Sequence, residues 1–363
     1  MKKNKNYVDL KDQPVPEGQH LLEVDDLKMY FHTEDGVVRA VDGVSYTLDR
    51  GETLGVVGES GSGKSVTAMT IMGLISMPPG KIEGGDVRYR GRSILEMTEE
   101  EMQHIRGNDI AMIFQDPMTS LNPVYKIGKQ VGEGLRLHRG YSKQEALKRA
   151  TELLDLVGIT EPEKRVNEYP HQFSGGMRQR VMIAMALACD PDILIADEPT
   201  TALDVTIQAQ IIELMQEMQE KNGNAIIMIT HDLGVVADMA DKIMVMYAGR
   251  PVEFGTAEEI FYECRHPYTW GLIRSIPEQA IEEKKPLTPI HGNPPSLMNL
   301  PEGCVFSPRC PYATDKCRKQ RPERVVTESG HYSACHYSGD PEFLKNAPET
   351  SRTRKDSKKG GEA

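Results

Sequence analysis

The residues best suited to chemistry in this sequence form a glycine-rich run that follows an apolar stretch. The run reads Gly58-Glu59-Ser60-Gly61-Ser62-Gly63-Lys64-Ser65, and residues 65–74 after it are compatible with a helix. Glycines let backbone N–H groups turn toward phosphate oxygens, while Lys64 neutralises their charge and Ser65 can ligate Mg²⁺. A chance glycine turn is the alternative, but the strand–loop–helix context favours a phosphate loop.

Two adjacent carboxylates end another apolar stretch. Asp197 and Glu198 follow residues 193–196, which are all apolar. If that stretch is a strand, Asp197 would reach a metal ion directly or through water, and Glu198 would polarise an attacking water molecule. A structural acidic pair at a strand end is the alternative for this segment taken alone.

A histidine and a glutamine stand after two further apolar stretches. His231 follows residues 226–230, and Gln115 follows residues 110–114. Neighbouring strands of a parallel sheet would bring the imidazole to the γ-phosphate side and the amide to a metal ion or water. Each residue taken alone also has a purely structural interpretation.

A fourth segment offers anion-binding groups at the start of a helix. It reads Phe173-Ser174-Gly175-Gly176-Met177-Arg178-Gln179-Arg180 and leads into a helix-like stretch. A serine hydroxyl and free backbone N–H groups at a helix start can bind an anion. A simple helix cap is the alternative.

This segment resembles the signature sequence of ABC ATPases, which is LSGGQ in most members. Phe173 and Met177 depart from it, whereas the anion-binding core Ser174-Gly175-Gly176 is retained. The resemblance covers about residues 20–265. In the order typical of the family, it includes Phe31, the phosphate loop, Gln115, the signature, Asp197-Glu198, Ala202-Leu203-Asp204 and His231.

The resemblance implies a role for each of these residues. Phe31, or with less support Tyr30, would stack on adenine, and Asp204 would lie at a dimer interface. Glu198 would be the catalytic base and His231 the sensor of the γ-phosphate. Lys64, Ser65, Gln115 and Asp197 would handle phosphate and Mg²⁺. The implied ATP-binding set also contains Gly58, Glu59, Ser60, Gly61, Ser62, Gly63, Ser174, Gly175, Gly176 and Gln179.

Longer strings resemble one branch of the ABC family, the oligopeptide and dipeptide importers. They lie at residues 114–123, 266–269, 292–297 and 303–311. The resemblance implies an ATPase that energises uptake of di- or oligopeptides. Importers of nickel, glutathione or sugar oligomers share parts of the pattern and remain alternatives.

Four of the six cysteines lie close together in the sequence, at Cys304, Cys310, Cys317 and Cys335. Four thiolates can bind an iron–sulfur cluster or Zn²⁺, although neither paired CxxC motifs nor a ferredoxin run is present. Similarity to peptide-importer ATPases implies a 4Fe–4S cluster here. Zinc and unligated structural thiols are the alternatives.

The elements that must position these residues predict an α/β fold. An antiparallel β layer is expected near residues 21–57, followed by a RecA-like P-loop core with an inserted helical subdomain. We expect a flexible N-terminus at 1–19, an ABC domain at 20–265 and its helical subdomain at about 94–180. A C-terminal extension with the cysteines is expected at 266–338, and a disordered tail at 339–363.

Composition narrows the function classes further. The chain has 363 residues and a formal net charge of −11, which argues against general nucleic-acid binding. Its apolar runs are shorter than the roughly 20 residues of a membrane span, and no signal peptide is recognised. The residues alone therefore predict a protein that stays in the cytoplasm, and the family resemblance implies that it is peripheral at the cytoplasmic face of the cell membrane.

Family resemblance also implies partners. ATP would lie between the phosphate loop of one subunit and the signature of another, a related ATPase or, as the lesser alternative, a second copy of this chain. Two membrane permeases and an extracytoplasmic peptide-binding protein would complete the importer. A soluble ABC protein of translation or DNA repair, and a redox-sensing regulatory ATPase, are rival interpretations.

Overall fold

Two β-sheets and the helices around them form the described part of the chain. In this computed structural model, that part comprises residues 10–11, 13–116, 120–200, 205–275 and 289–348. Within these residues, no helix is long and apolar enough to cross a bilayer.

The first sheet is antiparallel. Among the described residues it has four strands in the order β2-β1-β4-β5. Their bounds are β1 (Leu22–Thr33), β2 (Gly36–Leu48), β4 (Gly80–Tyr89) and β5 (Arg92–Ser93). Leu22, Val24, Val44 and Leu48 are buried on the face that packs against the core, as expected for a half-buried sheet. The predicted antiparallel layer is confirmed.

The second sheet has eight strands within the described residues, in the order β11-β12-β10-β9-β3-β8-β7-β6. The five strands from β9 to β6 are mutually parallel. They are buried on both faces, which explains their near-continuous apolar sequences. The bounds are β3 (Thr53–Val57), β6 (Ile110–Ile113), β7 (Ile193–Asp197), β8 (Ala225–Thr230), β9 (Lys242–Tyr247), β10 (Arg250–Thr256), β11 (Val325–Val326) and β12 (Tyr332–Ser333).

Helices cover this sheet and fill the region between β6 and β7. Ser142 and Glu145 form a capping box at the start of α4, as their spacing favours. The described helices are α1 (Lys64–Ile71), α2 (Glu99–Ile105), α3 (Ile127–His138), α4 (Lys143–Leu156), α5 (Pro162–Arg165), α6 (Gly175–Leu187), α7 (Val205–Asn222), α8 (Leu233–Met239), α9 (Ala257–Tyr262), α10 (Pro267–Arg274), α11 (Asp315–Lys319) and α12 (Pro341–Leu344).

The predicted helical subdomain is less uniform than expected. Helices α3 to α6 form it, and they pack around a shared core. Strand β6, however, lies inside the predicted range of 94–180 and belongs to the parallel sheet, next to β7. The four apolar residues of β6 are buried, as expected for the apolar strand that the sequence predicts before Gln115.

Described residues within both predicted terminal segments are packed against other parts of the chain. Leu10, inside the predicted flexible segment 1–19, is 5% exposed and belongs to the core under the antiparallel sheet. Helix α12 lies inside the predicted disordered tail, where Phe343 contacts the rings of Trp270, Tyr312 and Tyr337. Contact of Phe343 with the buried ring of Trp270 and with two partly buried tyrosines holds this helix in place. Residues 1–9, 12 and 349–363 lie outside the described part.

The C-terminal extension continues the parallel core's sheet. Strand β12 pairs with β10, with Glu253 opposite Ser333 and Phe254 opposite Tyr332. His331, next to this strand, lies 3.1 Å from the buried carboxylate of Glu253. The extension is thus attached to the edge of the core through backbone and side-chain hydrogen bonds.

Candidate functional site

The glycine-rich run connects β3 to α1 as a tight loop. Gly58 has φ 147° and Gly63 has φ 100°, both in the region that favours glycine. A Cβ on Gly58 would lie 2.2 Å from the Met246 carbonyl oxygen, and one on Gly63 would lie 2.3 Å from that of Ala40. Glycine at these two positions therefore lets the loop fold against its neighbours.

Lys64 is the first residue of α1 and points back over the loop. Its Nζ donates hydrogen bonds to the carbonyl oxygens of Gly58, at 2.7 Å, and Glu59, at 3.0 Å. Burial lowers the pKa of this ammonium, and the carboxylates of Glu198 and Asp197 oppose that shift. A buried cation that bridges loop carbonyls can reach an anion cradled by the same loop.

Ser65 and Asp197 provide oxygen ligands at one point. The Ser65 hydroxyl donates to Asp197 Oδ1 at 3.0 Å, from the start of α1 to the end of β7. Burial raises the pKa of Asp197, so a nearby cation would stabilise its ionised form. A hydroxyl and a carboxylate at this spacing suit Mg²⁺, which takes few protein ligands and keeps several waters.

The Glu198 carboxylate lies between two polar side chains. Gln115 Nε2 donates to Glu198 Oε2 at 2.9 Å, and His231 Nδ1 lies 3.3 Å from Oε1. The backbone N–H of Glu198 donates to the carbonyl of Ile229 on β8, and the φ of Glu198 is 47°. The three residues predicted from separate apolar stretches are thus brought together at the carboxyl ends of β6, β7 and β8.

The two candidate aromatic residues differ in their surroundings. The Tyr30 hydroxyl donates to Asp42 Oδ1 at 3.0 Å, whereas Phe31 carries no polar group and is half-buried on β1. Burial and this hydrogen bond raise the pKa of Tyr30. Phe31 is therefore the better placed of the two to offer a ring face to a base.

The signature segment begins α6 as predicted. Ser174 is the N-cap, and its hydroxyl accepts a hydrogen bond from the Met177 N–H at 3.3 Å. Gly175 and Gly176 form the first turn. The local structure thus satisfies the helix-cap interpretation, and it is also compatible with anion binding by the N–H groups of this turn.

The structure corrects the expectation for Gln179. Its side chain is 1% exposed, and Nε2 donates to the carbonyl of Pro199 at 2.7 Å. An amide buried in this way supports the segment after Glu198 from inside. Asp204, predicted at a dimer interface, lies outside the described residues, as do Ala202 and Leu203.

All four clustered cysteines line one cavity in the C-terminal extension, together with His266 and Phe306. Burial raises the pKa of Cys310 to about 11 and that of Cys335 to about 12, and the neighbouring thiols add to both shifts. Even so, the described residues contain no group of three or more His, Cys, Asp or Glu side chains arranged to hold a metal ion. The cysteines are thus neighbours around a cavity, and cluster binding stays a prediction.

Two residues of the extension reach the phosphate loop, and sequence reasoning gave them no role there. Arg309 forms a two-point ion pair with Glu59, and the Tyr268 hydroxyl accepts a hydrogen bond from the Glu59 N–H at 2.8 Å. Both lie more than 200 positions from the loop, so no local pattern could have indicated these contacts.

Comparison with known proteins places this geometry in a family. Residues 41–201 match the family model described as "ABC transporter". Residues 252–317 match the model described as "Oligopeptide/dipeptide transporter, C-terminal region". The two matches cover the phosphate loop through β7 and most of the extension that carries the cysteines.

Curated relatives and solved structures agree. The chain is 58% identical to the oligopeptide transport ATP-binding protein OppD of Bacillus subtilis, over 86% of this chain and 87% of the relative. It is 52% identical to the dipeptide transport ATP-binding protein DppD of Escherichia coli K12, over 88% and 97%. A dimeric ATP-binding cassette, MJ0796, bound to ADP and Pi superimposes with a TM-score of 0.60 at 29% identity, over 65% of this chain and 98% of that one.

Proposed function

This chain belongs to the ABC transporter family as an ATP-hydrolysing subunit of a peptide importer, and we propose that the residues gathered around Glu198 carry its chemistry. The single observation behind the proposal is the convergence of Ser65, Asp197, Glu198, Gln115 and His231 at the carboxyl edge of the sheet. ATP is the expected substrate because the phosphate loop lies at the same edge.

The phosphate loop and Lys64 bind the triphosphate. Lys64 Nζ bonds to the Gly58 and Glu59 carbonyl oxygens. With ATP bound, it would exchange these carbonyls for phosphate oxygens, which the backbone N–H groups of the loop would also bind. Mg²⁺ neutralises charge on the phosphates when bound, and Ser65 and Asp197 are the residues that would hold it. Phe31 would stack on the adenine ring.

Glu198 orients and polarises the attacking water. Gln115 and His231 contact separate oxygens of its carboxylate, so they fix its orientation from two sides. In-line attack then places charge on the γ-phosphate oxygens, where His231 acts as the sensor. We also propose the domain bounds expected from the sequence, with the ABC domain at residues 20–265 and the C-terminal extension ending at residue 338.

A second subunit completes the site. The N–H groups at the start of α6 lie on the helical part of the chain, and we assign them to the γ-phosphate bound by a partner ATPase. The partner is a related subunit, with a homodimer as the lesser alternative. Support comes from MJ0796, which was solved as a dimer with ADP and Pi. Asp204 would lie at the same interface.

The remaining partners follow from the peptide-importer relatives. We assign two membrane permeases and an extracytoplasmic peptide-binding protein to the assembly, with this subunit peripheral at the cytoplasmic face. Val124 and Tyr125, shortly after Gln115, are 71% and 44% exposed. Exposed apolar side chains at this position suit contact with a membrane subunit, through which closure of the ATPase pair would be transmitted.

The four cysteines are proposed to hold a 4Fe–4S cluster. Support comes from their common cavity and from the number and softness of the donors. Thiols with raised pKa values become thiolates only beside a strong positive charge, so a metal centre would reverse their shifts. Zinc is the alternative outcome.

The intact importer, purified without oxygen, tests the peptide assignment. Its ATP turnover is measured against a panel of di- and oligopeptides and against nickel, with metal content determined by elemental analysis. We expect stimulation by peptides and bound iron. Stimulation by nickel alone would overturn peptide import, and zinc without iron would overturn the cluster.

A further inference from the structure

An ion pair joins the phosphate loop to the cysteine-bearing extension. Arg309 Nη1 lies 2.5 Å from Glu59 Oε2, and Nη2 lies 2.9 Å from Oε1. The Arg309 side chain is 4% exposed and that of Glu59 is 29% exposed. Two parallel charge-assisted bonds fix both distance and orientation, which makes this pair stronger than an exposed one.

The Arg309 guanidinium has a partner for each of its five N–H donors. Besides the two bonds to Glu59, Nε donates to the His291 carbonyl at 3.0 Å, Nη1 to the Tyr247 hydroxyl at 3.3 Å and Nη2 to the Ile290 carbonyl at 3.2 Å. A guanidinium with all five donors bound cannot rotate without losing several bonds at once. Its orientation toward Glu59 is therefore set by the extension.

Glu59 is also held through its backbone. Its N–H donates to the Tyr268 hydroxyl, and the Tyr268 ring contacts those of Tyr247 and Phe306, with centroids 4.6 Å and 5.4 Å away. The Glu59 carbonyl accepts from Lys64 Nζ. The extension thus holds Glu59 in place, and Glu59 contacts Lys64, the lysine proposed to bind the phosphates.

The Arg309–Glu59 ion pair also affects the charge of the phosphate loop. Without Arg309, the Glu59 carboxylate would stand unpaired in the loop that receives a triphosphate, and like charges repel. We infer that Arg309 is a positioning residue for ATP binding: it orients and neutralises Glu59, so that ATP affinity depends on the folded cysteine segment. This inference rests on the proposed ATP role of the phosphate loop.

Binding of a non-hydrolysable ATP analogue with Mg²⁺ to the full-length chain, measured by calorimetry, tests this. We expect Arg309→Met to weaken binding about tenfold, within the range of coupled pairs. If Arg309 acts through Glu59, the same change in a Glu59→Gln background should cost about twofold or less. Arg318→Met is the matched control, because Arg318 lies in the same extension, pairs with Asp315 and is exposed.

Thermal unfolding of each variant separates positioning from loss of fold. If Arg309→Met fails to fold, Arg309→Lys decides, since it keeps the charge but loses the two-point pair. Binding within twofold of wild type by a folded Arg309 variant would overturn the inference. So would an equal loss in the Glu59→Gln background. Failure of the wild-type chain to bind the analogue would instead overturn the ATP assignment, and the inference with it.

Discussion

At the carboxyl edge of the parallel strands, the functional side chains lie within two residues of the ends of β6, β7 and β8, each a buried strand of four to six residues. The cysteine segment has a different construction: its strands β11 and β12 have two residues each, and α11 has five. Backbone hydrogen bonds of a central sheet therefore hold the first site. Short strand pairs, backbone hydrogen bonds between loops and side-chain contacts hold the second.

This difference predicts which substitutions each region tolerates. At the sheet edge, the position of Glu198 is set by its backbone bond to Ile229, so an isosteric side chain leaves the geometry intact. In the extension, each buried thiol takes part in the packing around the cavity. Substitutions at the sheet edge should therefore alter chemistry without altering the fold, and those in the extension should alter both.

Glu198→Gln is expected to have the largest effect. It tests whether a substitution at the sheet edge alters the chemistry without altering the fold. The amide keeps the volume but cannot polarise water as a base. ATP turnover of the assembled importer should fall about a hundredfold or more. The thermal unfolding midpoint should change little, because the strand bonds persist.

Glu133→Gln is the matched control, as Glu133 is an exposed carboxylate on α3. Its turnover should equal that of wild type. Unchanged turnover in Glu198→Gln would point to the rival interpretation, a regulatory ATPase that hydrolyses little.

Cys317→Ser tests whether a substitution in the cysteine segment alters both metal binding and the fold. Cys317 is 8% exposed, and its Sγ lies 3.5 Å from the Thr314 hydroxyl. Replacement should abolish bound metal and lower the unfolding midpoint by about 5 °C or more, since each kcal/mol lost shifts a chain of this size by a few degrees. Metal analysis and thermal unfolding of the anaerobically purified chain measure both.

Cys189→Ser provides the comparison, because Cys189 is equally a buried thiol but lies in the helical part, near Arg139. It should retain the metal. Full iron content in Cys317→Ser would remove that cysteine from the proposed ligand set.

Local pattern accounts for what the sequence could predict. Strands β3, β7 and β8 were recognisable as apolar runs, and parallel strands end at one edge, so Lys64, Asp197 and His231 were expected together. Gln179 is expected at the nucleotide because it neighbours the signature, but the structure places its side chain in the interior. Met182 and Ile183 lie three and four residues after Gln179 on α6, so the three side chains share one face of the helix. Both apolar residues are buried, and this spacing is the signal in the sequence for an interior position of Gln179.

Contacts between distant segments account for what it could not predict. Arg309 and Glu59 are 250 positions apart, and nothing in either neighbourhood specifies the other. The order of α12 likewise depends on Phe343 meeting Trp270 across the chain. Such pairs arise from the packing of complete elements, which composition and periodicity do not encode.

Tyr268→Phe is expected to have the smallest effect. It tests the contact between the extension and the phosphate loop. It removes the hydroxyl that accepts from the Glu59 N–H but keeps the ring between Tyr247 and Phe306. Loss of one hydrogen bond costs about 1 kcal/mol, so affinity for the ATP analogue should fall by no more than about fivefold even if the whole cost falls on the bound state, which is less than for Arg309→Met. Tyr312→Phe, on the Trp270 side of the extension, should have no effect. A larger loss for Tyr268→Phe than for Arg309→Met would mean that the backbone of Glu59, and not its charge, links the extension to ATP.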